Sequence, residues 1–512
     1  MDAKPCIPAT KDAASPSGAS RRRQYSNVAS AMFLFLARVA AAVVQLRLVE
    51  RAWGGSYTGL NVLCNQVLLY VTLLELGLAQ AAISLLYEPI AGGNFAQVSA
   101  LITAVRHDVR RLTMWGAAVL PPVLTAYAFF IHSSVPLGTA IATLWLIAAS
   151  GLIQLASVHF QVYLNAAERI DRTNYVLGAG YLAKTFLGLA LAIHWHQYLW
   201  LPAATVLLSA CEFAALRKAF YRLFPSFCQT PWEDAARLVR ARAKFVLIHK
   251  VAGLAFYQSD FIILSLTTSL IVVKDYAKYQ YVSAALLSMV GMVASALTTS
   301  IARQQLYNHA DARRQHYVLA QFVMSVIGAV IMLGYCFSVR TVIAVAFGQA
   351  VDIGWPTIWL FGAALFLNVV KTVDDVFIAA KGAFQIGPWI PAIEVPIFIT
   401  LGTLLSERIG FPGILVASIV TNLTVSVLVK GIVLAGPVFD SSRKQWFRCR
   451  AISIVKGLLL ILPAAALYVI FLRPFHGDFW HMATINISVS VYVLVIMRRI
   501  LLANLQRERV AA

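Results

Sequence analysis

Long apolar segments alternate with short polar gaps along this chain, and the basic residues fall mostly in every second gap. The 512 residues contain about fourteen such segments. A helix needs about 20 apolar residues to cross a hydrocarbon core of about 30 Å, and basic loops are retained on the cytoplasmic side of a membrane. The pattern therefore predicts an all-α polytopic membrane protein with about 14 transmembrane helices.

The charge distribution fixes the predicted orientation. With both termini placed in the cytoplasm, 29 of the 42 Lys and Arg residues lie in inner segments and 6 are assigned to outer gaps. This bias matches the positive-inside rule. Every predicted outer loop is short, so no extracytoplasmic catalytic domain is expected. The predicted spans are 28–49, 60–86, 112–132, 137–163, 175–195, 198–216, 246–270, 276–300, 317–337, 355–379, 389–406, 411–434, 452–471 and 479–500.

The spans group into two six-helix lobes followed by two extra helices. A Pro/Ser/Ala-rich N-terminal segment is typical of a disordered cytoplasmic tail, and the longest inner gap separates the lobes. Part of that gap, 232–242, has an amphipathic pattern that predicts a helix along the inner membrane surface. The predicted divisions are a tail at 1–27, lobes at 28–216 and 246–434, an inter-lobe cytoplasmic loop at 217–245, two extra helices at 452–500 and a cytoplasmic tail at 501–512.

Composition argues against several classes of function. The net charge is +20, yet only 12% of residues are charged, about half the usual share. Because the basic residues already follow membrane topology, a nucleic-acid partner is not expected. The six cysteines form no Cys-x-x-Cys pair, and no phosphate-binding Gly-rich loop with Lys-Ser/Thr occurs. We therefore expect no metal, no cofactor and no enzymatic activity.

Two short sequence motifs near the start of the chain are similar to motifs of a known protein family. The segment 73–78 reads Leu-Leu-Glu-Leu-Gly-Leu, and it follows a Gly-rich stretch at 54–59 that contains Tyr57. This resembles the polysaccharide repeat-unit flippases, a branch of the multidrug/oligosaccharidyl-lipid/polysaccharide (MOP) exporter superfamily. A weaker echo is Asp-Phe-Ile-Ile-Leu at 260–264. The family's Tyr-Gly pair is matched loosely, because Thr58 separates Tyr57 from Gly59. The motifs cover about 60 residues, and the topology covers most of the chain.

The resemblance implies a function. Family members move undecaprenyl-diphosphate-linked oligosaccharides from the inner to the outer leaflet of the bacterial plasma membrane, for exopolysaccharide, O-antigen or capsule assembly. It thus implies a multi-pass inner-membrane flippase that works by alternating access. The implied partners are the lipid-linked oligosaccharide, membrane lipids, a polysaccharide polymerase and export proteins. A peptidoglycan-precursor flippase stays open within the same class.

Seven basic residues fall inside predicted spans, apart from three at span ends that are counted with the adjoining gaps: Lys278, Arg498 and Arg499. An ionised side chain at mid-membrane costs about 2.5–3.5 kcal/mol on insertion scales. Three of the seven lie near helix ends, where their side chains can reach the interface: Arg47, Lys430 and Lys456. The other four are predicted to line an aqueous cavity and bind the cargo's diphosphate, because Arg and Lys both bind phosphate: Arg38, Lys184, Lys250 and Lys371.

Two interpretations of the span around Lys184 stay open. Tyr181, Lys184 and Gly188 share one helical face. Such a thin polar stripe suits a cavity wall, and it equally suits close packing between helices.

Acidic residues within spans are candidates for coupling transport to a proton or sodium ion. We predict this role for Glu75, Asp260, Asp374 and Asp375, with Asp260 the leading candidate. For Asp374 and Asp375 the alternative is an ion pair with Lys371, which lies three and four residues earlier on the same helix. For Glu75 the alternative is a bond that ties its span to a neighbour.

Two other classes of function stay open. A cation-coupled multidrug or metabolite exporter of the same superfamily would favour an acidic and aromatic cavity over a cationic one. A membrane-embedded polysaccharide polymerase or ligase would carry a large outer loop with catalytic Arg or His, which this topology lacks.

Overall fold

The computed structural model describes residues 18–472, except 76, 226, 308–309, 349–350, 382–388 and 437–441, together with residues 484, 486 and 488. Within these residues the chain forms sixteen α-helices and one π-helical segment, and no strand. It divides into two compact units, Met1–Lys274 and Asp275–Ala512.

Nine helices lie in the described part of the first unit. In chain order they are α1 Gly18–Trp53, α2 Gly55–Leu73, α3 Leu78–Ala91, α4 Phe95–Phe130, α5 Leu137–Ala156, α6 Val158–Ala166, α7 Ile170–His194, α8 Trp200–Leu223 and α9 Glu233–Thr267. Helix α1 packs along α7, and α5 packs against α2, α4 and α8.

The second unit continues the helical pattern. Helix α10, Leu270–Tyr307, begins in the first unit and runs into the second. It is followed by α11 Ala310–Phe347, α12 Trp355–Lys381, α13 Trp389–Ile409, α14 Phe411–Thr421, a π-helical segment Asn422–Val429, α15 Lys430–Leu434 and α16 Arg443–Leu472. Helix α11 packs against both α12 and α16.

The prediction of an all-α polytopic membrane protein is confirmed. Eight helices of the described residues are long and apolar enough to cross a membrane by length and composition. The first thirteen predicted spans coincide with single helices or with consecutive helices. The predicted span 479–500 lies mostly outside the described residues, although 484, 486 and 488 are helical.

Three spans predicted as continuous helices are interrupted. The span 60–86 breaks between α2 and α3, where Gly77 adopts a left-handed backbone with φ of 72°. The span 137–163 breaks at Ser157, and the span 411–434 changes to π-helix at Asn422. The prediction of unbroken helices there is wrong because hydropathy reports burial in a membrane and not the local backbone path.

Several helices extend beyond the predicted spans. Residues 18–27, predicted as disordered tail, form the start of α1, while 1–17 and 501–512 lie outside the described residues. Helices α8 and α9 occupy most of the predicted loop 217–245, leaving 224–232 between them. The amphipathic stretch forms the first turns of α9, where Ala236 and Val239 are buried in the protein core and Leu238 is exposed.

Polar contacts fix the register of α1 against α7. The Ser26 hydroxyl donates to Asp171 at 3.3 Å, and the Asn174 amide donates to Ser30 at 3.1 Å. One turn further along, a Cβ atom at Gly178 would lie only 2.6 Å from the Phe33 ring, so this glycine permits the close approach. This register places Arg38 of α1 beside Tyr181 of α7.

Candidate functional site

A cationic group lies at mid-helix on α1. Arg38 occupies the middle of the 29-residue apolar span Tyr25–Trp53, and its guanidinium carbon lies 5.0 Å from the centre of the Tyr181 ring. The Arg38 side chain is exposed. An arginine at this depth is costly against hydrocarbon, so such residues face a bundle interior or a water-filled cavity. The ring adds a cation–π contact that holds the guanidinium in place.

The second predicted cation of the first unit is paired with a carboxylate. The Lys184 ammonium donates to Glu212 Oε2 at 2.6 Å, and the side chains are only 12% and 6% exposed. Lys184 Nζ also lies 5.9 Å from the centre of the Tyr181 ring. Both paired residues sit near the middle of their helices, α7 and α8. We call Arg38, Tyr181, Lys184 and Glu212 the mid-span cluster.

Glycines of α7 create the space for this pair. A Cβ atom at Gly180 would lie 1.7 Å from Glu212 Oε1, and one at Gly188 would lie 2.9 Å from the Leu201 side chain. The glycines therefore serve close packing against α8, whereas Tyr181 contacts the cation of α1. The close-packing interpretation describes Gly180 and Gly188, and the interpretation of the Tyr181 face as a cavity wall stays a prediction.

Three neutral polar side chains, Ser150, Gln154 and Ser209, form what we call the polar seam between α5 and α8. Ser209 lies three residues before Glu212 on α8, and its hydroxyl is 2.7 Å from that of Ser150 on α5. The Gln154 amide lies 3.5 Å from the Ser209 hydroxyl. Ser150 and Ser209 are buried, so a chain of polar side chains runs between α5 and α8 inside the first unit.

Lys371 lies in a separate polar cluster within the second unit. Its ammonium donates to Asn422 Oδ1 at 2.8 Å and lies 4.0 Å from Glu394 Oε1. The Ser426 hydroxyl also donates to Glu394. Asn422 and Ser426 both belong to the π-helical segment, and such segments occur frequently at functional sites. Lys371 is nearly fully buried.

The carboxylates beside Lys371 bond to cations of other helices. Arg450 of α16 donates to Asp374 at 2.6 Å, and the Tyr317 hydroxyl donates to the same carboxylate at 3.0 Å. Lys430 donates to Asp375. Both aspartates thus contact cations of other helices, α15 and α16, and the alternative of an intrahelical pair with Lys371 stays open. Asp374 ties α12 to α11 and α16.

The remaining predicted residues are dispersed. Glu75 is buried at the break between α2 and α3, and Asp260 is buried on α9, where its carboxylate accepts from the Phe261 amide at 2.9 Å. The side chain of Lys250 lies outside the described residues. Substrate and ion-coupling roles for all eight residues stay predictions. Glu212 was missed because its partner is 28 residues away in sequence, although an acidic residue in an apolar span is itself a signal.

Comparison with solved structures identifies the fold. The chain is similar to the lipid II flippase MurJ in an inward closed conformation, with a TM-score of 0.64 and 14% identity over 93% of this chain and 99% of that one. It is also similar to an inward-facing multidrug resistance MATE transporter of the MOP superfamily, with a TM-score of 0.57, 12% identity and coverage of 83% and 94%.

A third similar structure is a MOP superfamily transporter from Pyrococcus furiosus whose binding pocket has reversed polarity, with a TM-score of 0.55, 12% identity and coverage of 87% and 96%. No protein-family model and no curated protein sequence matches the chain. At these identities the likeness shows the fold, which is that of MOP superfamily transporters.

Proposed function

We propose that this protein is a flippase for lipid-linked oligosaccharides whose cargo carries an undecaprenyl diphosphate, acting by alternating access in the bacterial inner membrane. The observation that carries the proposal is the mid-span cluster, because it places two cations at the middle of membrane spans on a fold shared with a lipid II flippase. The proposal includes polysaccharide assembly with polymerase and export partners on the resemblance of the segments 54–59 and 73–78 to repeat-unit flippases.

The chemistry of the cargo suits this cluster. A diphosphate loses most of its hydration when it crosses a region of low dielectric constant, and that loss is costly for a charged group. Arg38 offers a planar fork for bidentate contact with phosphate oxygens, and Lys184 offers a mobile point charge. Both cations lie within 6 Å of one Tyr181 ring centre, so one head group could contact both.

The charge of the cluster discriminates between cargo classes. Among its four residues, two are cationic and one is anionic, so the cluster carries one net positive charge. Exporters of organic cations need the opposite polarity, since a cationic cargo would be repelled by Arg38. The fold is shared with MATE multidrug transporters as well, so the sign of the cluster's charge, more than the fold, favours an anionic cargo.

Depletion in the native host tests this proposal. Loss of the protein should leave lipid-linked repeat units accumulated in the inner leaflet, measured by their extraction and by their inaccessibility to an external glycosidase. Wild-type protein should clear them, and Arg38→Gln at equal protein level should not. Arg47→Gln is the matched control, because it removes a cation nine residues along the same helix, on the opposite face.

Absence of accumulation on depletion would overturn the proposed cargo. Full clearance by Arg38→Gln would remove Arg38 from the site while leaving the fold assignment intact.

A further inference from the structure

We infer that Glu212 is an internal counter-ion that competes with the anionic head group of the cargo for Lys184 and thereby promotes cargo release. The inference rests on the proposed function and adds a residue that the sequence motifs do not mark. It assigns to Glu212 a positioning role that acts through Lys184.

The geometry shows a closely matched pair. Lys184 Nζ and Glu212 Oε2 are 2.6 Å apart, and both side chains are largely shielded from solvent. The absence of a side chain at Gly180 is what lets the Glu212 carboxylate reach this position, since a Cβ atom there would overlap it. The close approach of α7 and α8 at Gly180 thus leaves room for the carboxylate beside the ammonium.

Among the described residues of the first unit, Lys184 is the cation that contacts Glu212. Helix α5 presents neutral groups to this face of α8, the Ser150 hydroxyl and the Gln154 amide. Helix α1 presents Arg38, which contacts Tyr181. When the Glu212 carboxylate is displaced from Lys184, the nearest neutral polar group on the same face of α8 is therefore Ser209, three residues earlier.

The pair has a consequence for transport. In the cargo-free protein, a charged lysine paired with a carboxylate has a lower free-energy cost at mid-membrane than an unpaired one. The pair therefore stabilises the cargo-free state. Binding of a diphosphate to Lys184 must displace Glu212, and release is assisted when Glu212 returns. Only a group that interacts differently with the two states can shift their balance. The carboxylate therefore weakens cargo binding and speeds turnover.

The test measures binding of undecaprenyl diphosphate to the full-length protein in nanodiscs, with undecaprenol as the uncharged control lipid. Glu212→Gln should tighten binding of the diphosphate by at least about tenfold, a coupling typical of linked sites. It should also slow turnover in a flipping assay. Lys184→Met should weaken binding. The double variant should bind like Lys184→Met alone, because Glu212 acts only through Lys184.

A second perturbation guards against misfolding of Glu212→Gln, which leaves a buried lysine without its carboxylate. Gly180→Ala keeps the carboxylate but displaces it, so it should also tighten diphosphate binding, by less than Glu212→Gln. Gly138→Ala is the control, because a Cβ atom there meets no atom within 4 Å. Monodispersity and melting temperature are recorded for each variant.

The outcomes separate the two ideas. If wild-type protein binds undecaprenyl diphosphate no better than undecaprenol, the proposed cargo is wrong. If wild-type protein binds the diphosphate but Glu212→Gln and Gly180→Ala leave its affinity unchanged or reduce it, the counter-ion role is wrong and the cargo stands. Tightening by Glu212→Gln that persists with Lys184→Met would show that Glu212 acts on the cargo directly, which also overturns the inference.

Discussion

Removal of the Arg450 guanidinium should destabilise the second unit strongly. Arg450 and Asp374 form an ion pair at 2.6 Å whose side chains are 2% and 0% exposed. In Arg450→Met the Asp374 carboxylate keeps its bond from the Tyr317 hydroxyl but loses the guanidinium that contacts it directly. Stripping one partner from a buried ion pair costs about 3–5 kcal/mol, whereas replacing both partners is often close to neutral.

The expected change in melting temperature depends on the length of the folding unit that contains the ion pair. For a folding unit of 150–250 residues, each kcal/mol shifts the melting temperature by about 2–4 °C, so Arg450→Met should lower it by about 6–20 °C. The double variant Arg450→Met/Asp374→Asn should recover at least half of the loss. An asparagine there still accepts from Tyr317 and carries no charge.

Thermal unfolding in detergent, followed by intrinsic fluorescence at one fixed scan rate, measures the shift. A fixed rate is needed because membrane-protein unfolding is commonly irreversible. Asp352→Asn is the matched control within the same unit: its ion pair with Arg340 is exposed, with Asp352 77% accessible, and exposed pairs contribute at most about 1 kcal/mol. The reasoning is refuted if Arg450→Met melts like Asp352→Asn, or if the double variant is as unstable as the single one.

Two further substitutions test local features of the first unit. Gly77→Ala should cost about 1–2 kcal/mol, because Gly77 has a left-handed φ of 72° that L-residues disfavour; its melting temperature is compared with that of Gly138→Ala, which should be unchanged. Arg240 donates to the buried Asp108 carboxylate at 2.9 Å through Nε, and this hydrogen bond raises the pKa of Arg240. The contribution of the bond is then lost only as pH rises through that raised pKa. Arg240→Met should therefore destabilise by about 1–3 kcal/mol equally at about pH 8 and about pH 9. Arg237→Met, which breaks an exposed pair on the same helix, should have no measurable effect, and a pH-dependent loss in Arg240→Met would contradict the argument.

The helical layout could be predicted from the sequence because burial in a membrane acts on every residue of a span. Runs of about 20 apolar residues report it directly. The breaks could not be predicted. At 73–78 leucines continue on both sides of Glu75 and across the turn, so hydropathy does not mark the left-handed backbone at Gly77.

The ion pairs between different helices were the second feature that could not be predicted from the sequence. Lys371 and Asp374 are spaced for an intrahelical bond, yet Asp374 bonds to Arg450, 76 residues away. The partner of Lys184 is likewise on another helix. Local spacing ranks the pairs that one helix can make, but it carries no information on which faces of separate helices meet. Packing decides that, and packing depends on side chains throughout each unit.

The most direct test of the central claim is transbilayer movement of a fluorescent undecaprenyl-diphosphate oligosaccharide in proteoliposomes, read by quenching of the outer leaflet. Wild-type protein and Arg47→Gln should speed the movement well above protein-free vesicles, and Arg38→Gln should not. The account is contradicted if wild-type vesicles match protein-free vesicles, or if Arg38→Gln moves the lipid as fast as wild type.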